Sequence, residues 1–156
     1  MIRGTGPVGL RRPMRALEIA ASGLGAQTAR MRAIASNLAN AETTRGLDGG
    51  PYRRRVVRLE EAAYEPVPLE RPLEHGRPAE TLHGGVRVIG VEEDLSEGPL
   101  VYDPGHPDAD ESGYVRMPNV DITEEMVAMM ETRRLFEANA SVFDAVKAML
   151  RKATQL

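Results

Sequence analysis

Residues 14–38 read MRALEIAASGLGAQTARMRAIASNL. Met14, Ala21, Thr28 and Ala35 recur every seventh residue, and Leu17, Leu24, Met31 and Leu38 form a second line offset by three. This is the a/d pattern of helices that pack along a seam, with small residues at a and large ones at d. The spacing predicts one long helix over residues 14–41. Pro13 precedes it, where a missing N–H costs little, and Asn40 suits the helix exit. Gly23 and Gly25 lie inside and each costs about 1 kcal/mol relative to Ala. They also flank Leu24 with minimal bulk, so another helix can approach closely.

The C-terminal end repeats the theme. Ile122, Met129, Phe136, Phe143 and Leu150 share the seven-residue period, and Ala128, Leu135, Val142 and Met149 run beside them. Met126 and Val146 join the same helix, which is expected to start at Asp121 or Thr123 and run to about Thr154. Glu124 and Glu125 suit its first turn, where the helix dipole favours acids. Arg133 and Arg134 interrupt the apolar stripe, which points to packing against several neighbours rather than a simple isolated coiled coil. The Met126, Met129, Met130 run reads as part of this seam rather than as a membrane-surface face.

Between the helices, residues 42–50 form a turn region. Tyr52–Leu59 reads as a strand, and residues 60–81 as a Pro-rich loop. Gly85–Glu92 is the clearest strand, rich in β-branched residues. Leu100–Tyr102 and Tyr114–Met117 are shorter extended candidates. The expected fold class is α+β: two long terminal α-helices forming a coiled-coil-like pair around a small β-rich insert. The chain divides into a disordered basic tail (1–13), an N-terminal helix (14–41), the insert (42–120) and a C-terminal helix (121–156).

Composition narrows function. The chain has 156 residues, no Cys and no Trp, and aromatics make up 4%. Disulfides and thiolate chemistry are thereby excluded. Apolar content drawn from Ala, Leu, Val and Met suits helix seams better than one thick core. A net charge of −3 gives no footprint for nucleic-acid binding. No run of apolar residues is long enough to span a membrane, and residues 1–13 lack the apolar stretch of a cleavable signal peptide.

No catalytic constellation stands out. The acidic turn Asp103–Gly113 offers oxygen ligands, but it lacks the EF-hand spacing and carries prolines between its carboxylates, so it reads as a solvated turn. His75, His83 and His106 are scattered in loops without metal-site spacing. No nucleophile elbow or phosphate-binding loop is present. Arg53, Arg54, Arg55 and Arg58 form a basic cluster on a strand, where alternate side chains point to opposite faces; it reads as an interface or solvated strand. We therefore expect no catalytic, cofactor or metal residues. Pattern alone leaves self-contained helix pairing and intermolecular assembly equally open.

Ala21-Ser-Gly-Leu-Gly-Ala-Gln-Thr28 followed by Ile34-Ala-Ser-Asn-Leu-Ala-Asn-Ala-Glu-Thr43 resembles the N-terminal signature of bacterial flagellar rod and hook proteins. Gly113-Tyr-Val-Arg-Met-Pro-Asn-Val-Asp-Ile122 resembles the segment before the C-terminal helix in the rod branch, and Arg134-Leu-Phe-Glu-Ala-Asn139 resembles that helix itself. Leu100-Val-Tyr-Asp-Pro-Gly-His-Pro-Asp-Ala-Asp110 narrows the resemblance to the proximal rod. The resemblance covers about residues 14–154; residues 1–13 extend beyond the usual start, Phe136 stands where Tyr is usual, and residues 60–82 match poorly.

The resemblance implies a structural subunit, not an enzyme. It implies export through the flagellar type III apparatus without a cleavable signal, and a place in the basal-body rod that transmits torque from rotor to hook. Implied partners are the other proximal and distal rod proteins, the adaptor at the rod base, and further copies of the chain. The assembly residues would be the two repeat lines: Leu17, Ala21, Leu24, Thr28, Met31, Ala35 and Leu38 on the first helix; Ile122, Met126, Met129, Leu135, Phe136, Val142, Phe143, Val146, Met149 and Leu150 on the second. The competing reading is a soluble two-helix adaptor or binding module that forms no polymer.

Overall fold

The structure is a computed structural model and describes residues 11–46, 48–62, 84–153 and 155. Its element order is α1 (Arg11–Ala39), β1 (Arg55–Glu61), β2 (Val86–Glu93), β3 (Leu100–Tyr102), β4 (Tyr114–Arg116) and α2 (Ile122–Ala153). Two long helices enclose a small β insert, as the repeat pattern predicts. Residues 1–10 of the expected tail and most of the Pro-rich loop, with His75 and His83, lie outside the described residues. Helix α1 begins at Arg11, inside the stretch read as tail. Pro13 thus falls in the first turn, where N–H groups have no intrahelical partner to lose.

The helix ends follow local chemistry. Asn40 closes α1: its N–H bonds the Ser36 carbonyl at 3.2 Å and its Nδ2 bonds the same oxygen at 2.8 Å. Asp121 caps α2, its Oδ1 accepting the N–H of Thr123 at 2.7 Å and of Glu124 at 3.1 Å, which satisfies two otherwise orphaned donors.

The helices lie antiparallel. Asn37 of α1 meets Glu125 of α2 at 3.1 Å. Fourteen residues earlier on α1, and fourteen later on α2, a Cβ built on Gly23 would stand 2.8 Å from Asn139 Nδ2. These two contacts fix the register. The seam on α2 follows Glu125, Met129, Thr132, Phe136, Asn139, Phe143, Val146 and Leu150, all buried or half-buried and spaced alternately four and three apart. On α1 the matching line passes through Ala20, Gly23, Gln27, Ile34, Asn37 and Ala41.

The β elements form two separate antiparallel pairs. β1 pairs with β2 from Arg55↔Glu93 to Glu61↔Val86, with a register shift between Arg58 and Leu59 that leaves Ile89 as the extra residue on β2. A lone two-stranded ribbon is marginal in water, and this one is tied to α1 at both ends. The Asn37 amide bonds Arg55 at one end, and the Val86 N–H donates to Ser22 Oγ at 3.1 Å at the other. Gly85 takes φ +103° beside Ser22, a conformation for which glycine is the default residue.

β3 and β4 pair through Leu100↔Arg116, Val101↔Val115 and Tyr102↔Tyr114, and the two tyrosine rings meet edge to face at 5.2 Å. The turn between them is pinned to the α1 exit by Asp108, which accepts from Thr44 Oγ1 at 2.7 Å and pairs with Arg45 at 2.6 Å.

The core is thin. Among the described residues, eight apolar side chains are buried and four of these are alanines, whereas eighteen large apolar side chains are exposed. Folding of the single chain leaves many of its large apolar side chains exposed.

Candidate assembly interface

The two repeat lines behave differently on the two helices. On α1, Ala21 and Ala35 are exposed, as is Met14, and Thr28 is half-buried with its hydroxyl turned onto the Leu24 carbonyl at 2.8 Å. Leu17, Leu24, Met31 and Leu38 are half-buried. The fully buried line (Ala20, Gly23, Ile34, Asn37) runs one residue earlier, which is about 100° round the helix. The repeat therefore flanks the intramolecular seam on α1 rather than forming it.

On α2 the line Met129, Phe136, Phe143, Leu150 does lie in the seam, half-buried, next to buried Val146. Ile122, Met126, Leu135, Val142 and Met149 are exposed. Leu135, Val142 and Met149 form a flanking ridge, and Met126 stands apart from it with Met130. A helix with apolar side chains on its seam and on both flanks has more faces to cover than one partner helix can supply.

Sequence reasoning missed the polar junction that sets the helix register. Asn37 is buried, and its side chain imitates a strand edge. Oδ1 accepts the Arg55 N–H at 2.8 Å and Nδ2 donates to the Arg55 carbonyl at 3.0 Å. Oδ1 also accepts from the Tyr52 hydroxyl at 2.9 Å. Glu125, fully buried, takes the Asn37 amide on Oε2 and Arg54 Nε at 2.6 Å on Oε1. The Arg54 N–H donates to Asn119 Oδ1 at 2.8 Å, and Asn119 Nδ2 reaches the Asp94 carbonyl and Ser96 Oγ. Four chain segments thus converge on Arg54 and Arg55.

The basic cluster therefore has divided roles. Arg54 turns inward to Glu125, Arg58 pairs with Glu92 at 2.8 Å, and Arg55 stands 5.8 Å over the Tyr52 ring. Arg53 is exposed.

A polar depression of about 340 Å³ opens beside this junction, lined by Arg54, Asp94, Pro118, Asn119, Asp121 and Glu124 among others. The Ser96 N–H, the Ser96 hydroxyl and the Arg54 charge hold the Asp94 carboxyl below its ordinary value. In the acidic turn, Asp103 and Asp110 accept backbone N–H groups of their own loop. Among the described residues no three potential ligands gather in a way that could hold a metal ion. No helix there is long and apolar enough to cross a membrane.

Comparison with known proteins falls on these same elements. A family model described as flagella basal body rod protein matches residues 17–45, and one described as flagellar basal body rod FlgEFG protein C-terminal matches residues 111–156. Full-length relatives match as well. The Salmonella typhimurium flagellar basal-body rod protein FlgC is 43% identical over 140 residues, covering 89% of this chain and 93% of the relative. Its namesake in Bacillus subtilis is 40% identical over 144 residues, covering 90% and 95%. That of Borreliella burgdorferi is 39% identical over 145 residues, covering 88% and 92%. Paired terminal helices with exposed apolar flanks, matched at both ends by rod models, define the class as the rod proteins of the flagellar basal body. Within that class, the chain belongs to the flagellar basal-body rod protein FlgC family.

Proposed function

We propose that this chain is a structural subunit of the flagellar basal-body rod. It polymerises through its terminal helices into the tube that transmits torque from rotor to hook. The observation that carries this reading is the placement of apolar side chains. The α1–α2 seam is filled, yet Leu135, Val142 and Met149 stay exposed along one flank of α2. Exposed apolar surface at this density marks an interaction site. Head-to-tail contacts that do not close generate a helical tube, and many small apolar contacts resist shear collectively. The neighbours in the rod are further copies, the other proximal and distal rod proteins and the adaptor at the rod base.

The thin core fits a subunit that travels unfolded through the flagellar type III export apparatus. Helices with little buried area cost little to unfold, and ordering them on arrival ties folding to location. No step in this role requires catalysis.

Mass spectrometry of purified, stringently washed hook–basal bodies tests the reading. Peptides of this chain are expected alongside the other rod proteins. Their absence from intact basal bodies would overturn it and favour the two-helix adaptor.

A further inference from the structure

The α1 face carrying Met14, Ala21, Thr28 and Ala35 flanks the α1–α2 seam, about 100° round the helix from the buried line. Apart from Met14 its residues are small. The exposed flank of α2 carries Leu135, Val142 and Met149, which are large. Both lines have a seven-residue period, and within one chain both stay exposed apart from the half-buried Thr28. A row of large side chains and a row of small ones at equal spacing fit as ridge and groove.

Resting on the rod reading above, we propose that the α2 ridge of one copy lies antiparallel in the α1 groove of the next copy. Met149 then sits at Met14, Val142 at Ala21, Leu135 at Thr28 and Ala128 at Ala35. The direction follows from the fold. The helices of one chain are antiparallel, so copies stacked the same way up bring α1 against a neighbour's α2 in antiparallel sense. The register follows from charge. It sets Arg32 opposite Glu131, both exposed and neither with an ion-pair partner among the described residues. Slipping one heptad in one direction brings uncharged Ala138 to Arg32. Slipping in the other brings Glu124 to it, but carries Met149 past Met14 to position 7, outside the described residues. Only the stated register pairs the charges and sets the whole ridge against the described length of α1.

The contact is heterologous: the two patches differ, so it propagates rather than closes. The chain has no cysteine, which makes disulfide trapping clean. In a strain lacking its own copy, one chain carrying Ala21→Cys is co-expressed with another carrying Val142→Cys, and hook–basal bodies are purified and oxidised. A cross-linked dimer is expected only when both variants are present.

If the chains are in the rod but stay monomeric, or if Ala21→Cys links to itself, the proposal falls and the rod reading stands. A link from Ala21→Cys to Leu135→Cys in place of Val142→Cys overturns the register. Absence of the chains from basal bodies that do take up the unmodified chain overturns the contact as well; if the unmodified chain is also absent, the rod reading itself fails. Charge exchange gives a second readout. Arg32→Glu and Glu131→Arg should each reduce incorporation, and the two together in one chain should restore it. Normal incorporation of either single variant, or no restoration in the double, counts against the pairing.

Discussion

Asn37 and Glu125 are eighty-eight residues apart in sequence and 3.1 Å apart in space, on opposite helices, with almost no exposure of either side chain. A buried polar contact of this kind is worth less for net stability than for register. An apolar seam of alanines tolerates sliding by one heptad, whereas an amide bonded to a carboxylate, a tyrosine and both backbone groups of Arg55 does not. Asn37 thereby ties α1, β1 and α2 to a single alignment.

Replacement of Asn37 tests this directly. Asn37→Asp removes the amide donor and sets a second carboxylate against Glu125; a loss of about 3–5 kcal/mol is expected, as for a broken buried pair. Asn37→Ala should cost less, about 1–3 kcal/mol for each group left unsatisfied. Urea denaturation of the purified chain measures both, with an unchanged slope as the sign of a native-state effect. An Asp variant as stable as the Ala variant would remove Asn37 from the register argument.

The Arg54–Glu125 pair should respond asymmetrically. Arg54 retains 33% side-chain exposure and Glu125 only 1%. Arg54→Met leaves a carboxylate where water cannot reach it, whereas Glu125→Gln leaves a guanidinium that can still hydrate. The first variant should be the less stable by at least about 1 kcal/mol, since an unpaired buried charge is the costlier remnant. Thermal melts of the two variants side by side decide it, and the reverse order would mean that Arg54 carries no such burden.

The two glycines of α1 should part ways. Alanine is favoured over glycine in a helix by about 1 kcal/mol. At Gly25 nothing lies within 4 Å of an added Cβ, so Gly25→Ala should stabilise the folded chain by close to that amount. At Gly23 the Cβ would stand 2.8 Å from Asn139 Nδ2, and the substitution should be neutral or destabilising until Asn139→Ala makes room. Equal gains at both positions would show that the helices do not approach closely at Gly23.

The helices, the insert and the α+β class were legible in the sequence because they rest on local signals. A seven-residue period, an Asp cap before Ile122 and a β-branched run at Val86–Val91 each act within a few residues. Leu100–Tyr102 was found to the residue. β1 was expected from Tyr52 but begins at Arg55, because Tyr52 turns to Asn37 and Ser36 instead of a strand partner.

The seam itself was less legible. Apolar periodicity marks every sticky face of a helix and does not say which face folds inward, so on α1 the brightest line proved to flank the seam. The Asn37–Glu125–Arg54 junction carried no signal of that kind. Asn37 read only as one residue of the Ile34–Thr43 signature, Glu125 as a dipole-favoured acid and Arg54 as one of a cluster. Only tertiary contact brings them together. A polar residue two heptads on from Gly23, where close approach of another helix was expected, was the one available clue.

Asp94 supplies a pH test. Its carboxyl is held below the ordinary value by the Ser96 hydrogen bonds and Arg54. A depressed folded value means that the contribution is present above the unfolded value, about 4, and is lost as pH falls through the folded one. The stability difference between the wild-type chain and Asp94→Asn should therefore hold steady near neutral pH and shrink below about pH 4. Denaturation midpoints across that range measure it, and a difference that grows on acidification would reverse the assignment.

Val142 and Val146 stand four residues apart on α2, the one 52% exposed and the other 6%. They separate folding from assembly. Val146→Asp places a charge in the α1–α2 seam without a partner, and the isolated chain should lose several kcal/mol. Val142→Asp changes a surface position, and the isolated chain should keep its stability within about 0.5 kcal/mol. In the proposed rod contact the order of interest reverses: a charge at Val142 falls on the ridge we assign to the next copy, so a fully folded variant should fail to enter basal bodies. Circular dichroism melts on the purified chain, together with basal-body composition and swimming in soft agar, give the two readouts. Normal swimming with Val142→Asp would show that the exposed α2 flank is not an assembly surface.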